Sequence, residues 1–129
     1  MEELRMGEKI RAVIFDWGGV LINDTWLNQM SYCARVLGVD PERLEKACGG
    51  EPWHLFVEGR ISERKFWDRV CGRLEVNPPR TESLWFDALN DGARHHDETW
   101  QLAASLRERG YQLGLLSNID MSALSWLEG

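Results

Sequence analysis

One short run constrains this chain more than any other. Ala12-Val13-Ile14-Phe15 is continuously apolar and is broken at once by Asp16-Trp17-Gly18-Gly19. A run without polar alternation predicts a strand over residues 11–15 buried on both faces, as in a parallel sheet covered by helices. The two glycines behind it permit a tight turn and let the backbone approach a bound group closely. A second run, Tyr111-Gln112-Leu113-Gly114-Leu115-Leu116, follows a helix-patterned stretch that ends at Gly110, and it stops at Ser117-Asn118. Helix, glycine, apolar strand and polar tip form the αβ half of a βαβ unit, so the two runs predict an α/β protein with a parallel sheet.

Residues 23–92 read as a series of helices, with nothing that alternates like a strand. Asn23 or Asp24 is placed to cap a helix carrying Trp26, Met30, Cys33 and Leu37, stopped by Gly38. Asp40-Pro41 starts the next, because Asp caps free amides and Pro is tolerated at the first helical position; Gly49-Gly50 ends it. Residues 51–60 form a short segment closed by Gly59. Ser62 caps a helix with Phe66, Val70 and Leu74 on one face, and Asn77-Pro78-Pro79 breaks the chain. Thr81 opens a short helix through Leu84, Trp85 and Leu89, with Asp91-Gly92 as a turn. Beyond it, Asp97 caps a helix with Leu102, Ala103 and Leu106, and Asp120 or Ser122 starts a last one with Leu124, Trp126 and Leu127. No internal repeat or low-complexity segment interrupts this order.

Composition excludes several function classes. The chain has 129 residues, the size of one domain, and a net charge of −6, so no basic stripe is available to a phosphate backbone or an anionic membrane. Neither nucleic acid nor membrane is an expected partner. The apolar runs are too short to span a bilayer, and the acidic start Met1-Glu2-Glu3-Leu4 lacks the layout of a signal peptide, which leaves the cytoplasm as the expected location. Cys33, Cys48 and Cys71 are odd in number and show no CxxC, so they read as buried thiols and not as a disulfide framework or zinc site. Trp26, Trp67, Trp85, Trp100 and Trp126, five of the seven tryptophans, fall in helical stretches, where packing is the ordinary role. His54, His95 and His96 have no acid pattern beside them, and adjacent histidines point apart, so they are not read as a metal set.

Ligands of open parallel sheets bind outside the carboxyl ends of the strands. The chain places Asp16 at one such end and Ser117-Asn118 at another. A carboxylate with bare backbone beside it and a hydroxyl with following amides describe a nucleophile facing an anion grip. Spacing alone equally allows Asp16 to cap a turn and Ser117 a helix.

The stretch from Ala12 to Leu21, with Asp16-Trp17-Gly18-Gly19 at its centre, resembles the first signature of the haloacid dehalogenase (HAD) superfamily, and Leu115-Leu116-Ser117-Asn118 resembles the second. The helical insert is similar to the small cap these enzymes carry after the first strand. Gly59-Arg60-Ile61-Ser62-Glu63-Arg64-Lys65-Phe66-Trp67 is similar to a segment of the phosphatase branch. The resemblance implies an incomplete HAD-like Rossmannoid parallel sheet, from residues 1–22 and 93–129, with an inserted α-helical cap at 23–92. It implies that Asp16 attacks phosphorus and forms an aspartyl-phosphate, that Asp16 and the backbone carbonyl of Gly18 bind Mg²⁺, and that Ser117 and Asn118 hold the phosphoryl group. Trp17 and Gly19 shape the phosphate-binding loop. The expected substrate is a small phosphorylated metabolite.

Two departures limit that expectation. The phosphatases usually carry a second Asp two residues after the nucleophile, as general acid and base; here Gly18 stands there, and such a loss removes a factor of about 10²–10⁴. The dehalogenase branch has an aromatic residue at that position, so 2-haloacid dehalogenation is the less favoured alternative. The second departure is that the family continues beyond the Ser motif with a basic residue and metal-binding acids, whereas this sequence ends at Gly129. Lys46 and Lys65 lie in the cap and read as surface; Asp120 follows the Ser motif too closely to be the later acid. The expectation is a C-terminally truncated chain, inactive or impaired, whose open core edges favour a homo-oligomer. A non-catalytic fold that self-associates, and a nucleotide- or metal-binding site without hydrolysis, remain as alternatives.

Overall fold

The computed structural model describes residues 9–128; Met1-Glu2-Glu3-Leu4 and Gly129 lie outside them. In chain order the elements are β1 (Ala12–Phe15), α1 (Trp26–Leu37), α2 (Pro41–Cys48), α3 (Glu51–Val57), α4 (Glu63–Leu74), α5 (Leu84–Gly92), α6 (Asp97–Glu108), β2 (Gln112–Leu115) and α7 (Met121–Glu128). The chain divides into two units, one of residues 1–24 and 94–117 and another of residues 25–93 and 118–129. The sequence reading groups the final helix with the sheet; here it falls with the helices and packs against α5.

The sheet unit is a parallel pair. β1 and β2 run in register from Ala12↔Gln112 to Phe15↔Leu115. The ladder extends one bond at each end, with the Gln112 N–H donating to the Arg11 carbonyl at 2.9 Å and the Leu116 N–H to the Phe15 carbonyl at 3.0 Å. α6 packs against β2. Burial of the strands on both faces, which the apolar runs predict, is not observed. Ile14 is 66% exposed, Leu115 45% and Leu116 72%. Among the described residues, two strands and one helix make up the regular structure of this unit, and a single helix covers at most one face of a sheet.

The helical unit holds the core. Met30 and Cys33 of α1, Leu44 and Cys48 of α2, Phe56 of α3, Phe66, Trp67 and Val70 of α4, and Leu84, Trp85 and Ala88 of α5 form one buried cluster. Its centre is aromatic: Trp85 lies 5.0 Å from Trp67, 5.6 Å from Trp53 and 6.0 Å from Phe66 between ring centroids. The expected caps form at Asp40, whose carboxylate accepts from the Glu42 N–H at 2.8 Å, and at Ser62, whose hydroxyl accepts from the Lys65 N–H at 3.2 Å. Other starts shift. α1 begins after Thr25 because the Asn23 side chain is engaged elsewhere, its Oδ1 accepting from the Arg94 N–H at 2.7 Å. α5 begins after Ser83, whose hydroxyl accepts from the Phe86 N–H at 3.0 Å, while the Thr81 hydroxyl donates to Asp87 at 2.6 Å. Residues 51–57 are helical, since Glu51-Pro52 suits a first turn and Gly50 supplies the entry with φ of 81°.

All three cysteines are free and buried, as their lack of any bridging pattern implies. Among the described residues no helix is long and apolar enough to cross a membrane.

Candidate active site at the strand tips

Asp16 follows β1 directly and is exposed. One carboxylate oxygen, Oδ1, accepts from the Trp17 N–H at 2.7 Å, which fixes the group and turns it toward the following backbone. That backbone is a tight turn closed on one carbonyl. The Trp17 carbonyl accepts from the N–H groups of Val20 at 3.2 Å, Leu21 at 2.9 Å and Ile22 at 3.2 Å. Gly19 makes the turn possible with φ of 78°, a left-handed conformation that side chains resist. The Trp17 side chain is 4% exposed and anchors the start of the turn. At Gly18 an added Cβ would meet nothing within 4 Å.

Ser117 leaves β2 at the same end of the sheet. Because Phe15 pairs with Leu115 and the strands are parallel, Asp16 and Ser117 both emerge just past the ladder, with Leu116 bonded to Phe15 between them. The structure therefore brings these two sequence-identified residues to one edge. Asn118 follows Ser117 in the chain but groups with the helical unit. Asp120 is a cap: its Oδ1 accepts from the Ala123 N–H at 3.0 Å. Lys46 and Lys65 lie on α2 and α4 of the helical unit.

The donors at this end of the sheet are oxygens, the type a hard divalent cation takes. The Asp16 carboxylate and the Gly18 carbonyl are both oxygen ligands, and Mg²⁺ characteristically takes one or two protein groups and keeps several waters. No group of three or more His, Cys, Asp or Glu residues suited to a metal occurs among the described residues, so an all-protein cage of soft or nitrogen ligands is not built.

Nothing in their spacing marks His96 and Trp100, yet the structure places them against the turn. His96 Nδ1 lies 3.1 Å from the Val20 carbonyl, and Trp100 Nε1 donates to the Leu21 carbonyl at 2.8 Å. In the helical unit, a cavity of about 570 Å³ is lined by Trp67, Pro78, Pro79, Arg64, Arg80 and Asp68 with their neighbours. Asp16 and Ser117 do not line it.

A parallel strand pair with Asp at one tip and Ser at the other, interrupted by an all-helical insert, defines a HAD-like α/β fold. The chain is similar to a HAD family enzyme of Bacteroides thetaiotaomicron, solved in complex with magnesium and inorganic phosphate, with 20% identity and a TM-score of 0.68 over 92% of this chain. It is similar too to a predicted HAD-like family hydrolase from Porphyromonas gingivalis, with 25% identity and a TM-score of 0.64 over 90% of this chain. The chain spans 58% of the length of the first and 55% of the second. No protein-family model and no curated protein matches it.

Proposed function

We propose that the chain carries the nucleophile half of a Mg²⁺-dependent phosphatase acting on a small phosphorylated metabolite in the cytoplasm. The observation that supports this most is the emergence of Asp16 and Ser117 side by side from one end of a parallel pair. In this reading an Asp16 carboxylate oxygen forms a bond to phosphorus while the ester P–O bond breaks, and the alkoxide takes a proton from water. Water then hydrolyses the aspartyl-phosphate, releasing phosphate and the free carboxylate. Ser117 and the Asn118 amide hold the phosphoryl oxygens as charge builds, and the glycine turn with Trp17 and Gly19 shapes the space around them. Mg²⁺ held by Asp16 and the Gly18 carbonyl would neutralise charge between carboxylate and phosphate. Turnover is slow, because position 18 has no carboxyl to protonate the leaving group, a loss of about 10²–10⁴.

Beryllofluoride, which mimics an aspartyl-phosphate, tests this without requiring turnover. Mg²⁺-dependent binding by fluorine NMR, abolished in Asp16→Asn, is the expected result, accompanied by weak phosphate release from p-nitrophenyl phosphate. Binding that persists in Asp16→Asn excludes the reading.

A second reading, association of copies through the sheet unit, is favoured by the exposure of Ile14 in β1 at 66% and of Leu116 just past β2 at 72%, on a strand pair with unpaired edges among the described residues. Light scattering at micromolar concentration should then show a dimer or larger species that Ile14→Asp dissociates; a monomer rules it out.

A further inference from the structure

A tight turn leaves carbonyls that its own bonding does not satisfy. In the turn behind Asp16 these belong to Val20 and Leu21, and both are met from the start of α6. The Val20 carbonyl faces His96 Nδ1 at 3.1 Å, and the Leu21 carbonyl accepts from the His96 N–H at 2.8 Å and from Trp100 Nε1 at 2.8 Å. The neighbouring residues continue the junction. Ile22 bridges antiparallel to His95, the Asn23 N–H donates to the Arg94 carbonyl at 3.0 Å, and Asn23 Oδ1 accepts from the Arg94 N–H at 2.7 Å. The His95 ring stands edge-on to Trp100, with centroids 5.2 Å apart. A carbonyl oxygen only accepts, so a hydrogen bond here requires the proton on His96 Nδ1.

We infer that His96, supported by Trp100, is a positioning residue for the proposed phosphoryl site: its Nδ1–H holds Val20 and thereby the Gly18-Gly19 backbone beside Asp16. It touches no reacting atom. Its consequence for ligand binding rests on the phosphatase reading; the clamp itself does not.

Two variants separate donation from helix capping. His96 is also the N-cap residue of α6. Asn and Asp both cap helices well, but only Asn can place an N–H where Nδ1 stands, whereas an ionised Asp turns oxygen toward the Val20 carbonyl. His96→Asn should bind Mg²⁺-beryllofluoride within about threefold of the parent, and His96→Asp about tenfold or more weakly, as loss of a hydrogen bond plus repulsion implies. Amide exchange at Leu21 and Ile22 should quicken in His96→Asp alone, and the long-range nitrogen spectrum of the parent should show the Nδ1–H form. Equal behaviour of the two variants, or an Nε2–H neutral tautomer, overturns the inference. If the parent binds no beryllofluoride while tautomer and exchange follow this pattern, the phosphatase reading falls and the clamp stands.

Discussion

Gly18 shows at the residue scale how an absence can be functional. A Cβ there would meet nothing within 4 Å, so a β-carbon is accommodated without moving the turn. Gly18→Asp should fold normally and raise phosphate release from an alkyl phosphate by about tenfold or more, because it supplies the missing general acid. The gain should be smaller with p-nitrophenyl phosphate, whose leaving group departs unprotonated; equal gains in a steady-state comparison would contradict the assigned role. Glu63 is the opposite case, a residue saturated with partners. Its carboxylate accepts from the Ser83 hydroxyl at 2.6 Å, the Trp67 indole at 2.9 Å and the Trp85 N–H at 2.9 Å, joining the start of α4 to the start of α5. Glu63→Ala strands these donors and should destabilise the chain by about 2–4 kcal/mol in urea unfolding, with Glu63→Gln retaining part of the loss. Asp16 and Ser117 were legible because each terminates an apolar run. Glu63 stood in the sequence only as one member of the Gly59–Trp67 segment, since its partners lie 20 and 22 residues away at Ser83 and Trp85.

At the scale of elements, helix starts followed local chemistry at some expected caps and not at others; Asp97, expected to cap α6, is its first residue, and His96 stands at the N-cap. Asp40 and Ser62 cap as their sequence context implies, while Asn23 and Thr81 do not, because Arg94 and Asp87 claim their side chains. Gly92 is a further instance. Beside Asp91 it reads as a turn, yet it closes α5, and its missing side chain admits α1: an added Cβ would collide with the Asn28 side-chain amide. Gly92→Ala should lower stability by about 1–3 kcal/mol through overpacking, despite the better helix propensity of Ala. Asn28→Ala in the same chain should recover most of that loss, and a thermal-melting double-mutant cycle that shows simple additivity would refute the contact.

For the whole molecule, the buried thiols link the helical core to pH. Burial pushes Cys48 up to about 12, with the neighbouring Cys71 and Glu45 adding and Arg73 opposing; burial likewise raises Cys33 and Cys71. In the unfolded chain thiols ionise near their ordinary value of about 8.5. A group whose folded pKa is raised contributes its full stability below the unfolded pKa and loses it as pH rises through the folded one. Stability measured by urea should therefore hold to about pH 8.5 and fall progressively toward pH 12, with a shallower fall in Cys48→Ala. At neutral pH a thiol reagent should label none of the three cysteines until denaturant is added. Period, caps and apolar runs determined by themselves that the described residues hold two strands, a helical insert and polar tips at Asp16 and Ser117, because each is a local pattern of polarity. Register, the Glu63 junction, the His96 clamp and the exposure of both strands were decided by tertiary structure alone, since each depends on residues that meet only after the chain has folded.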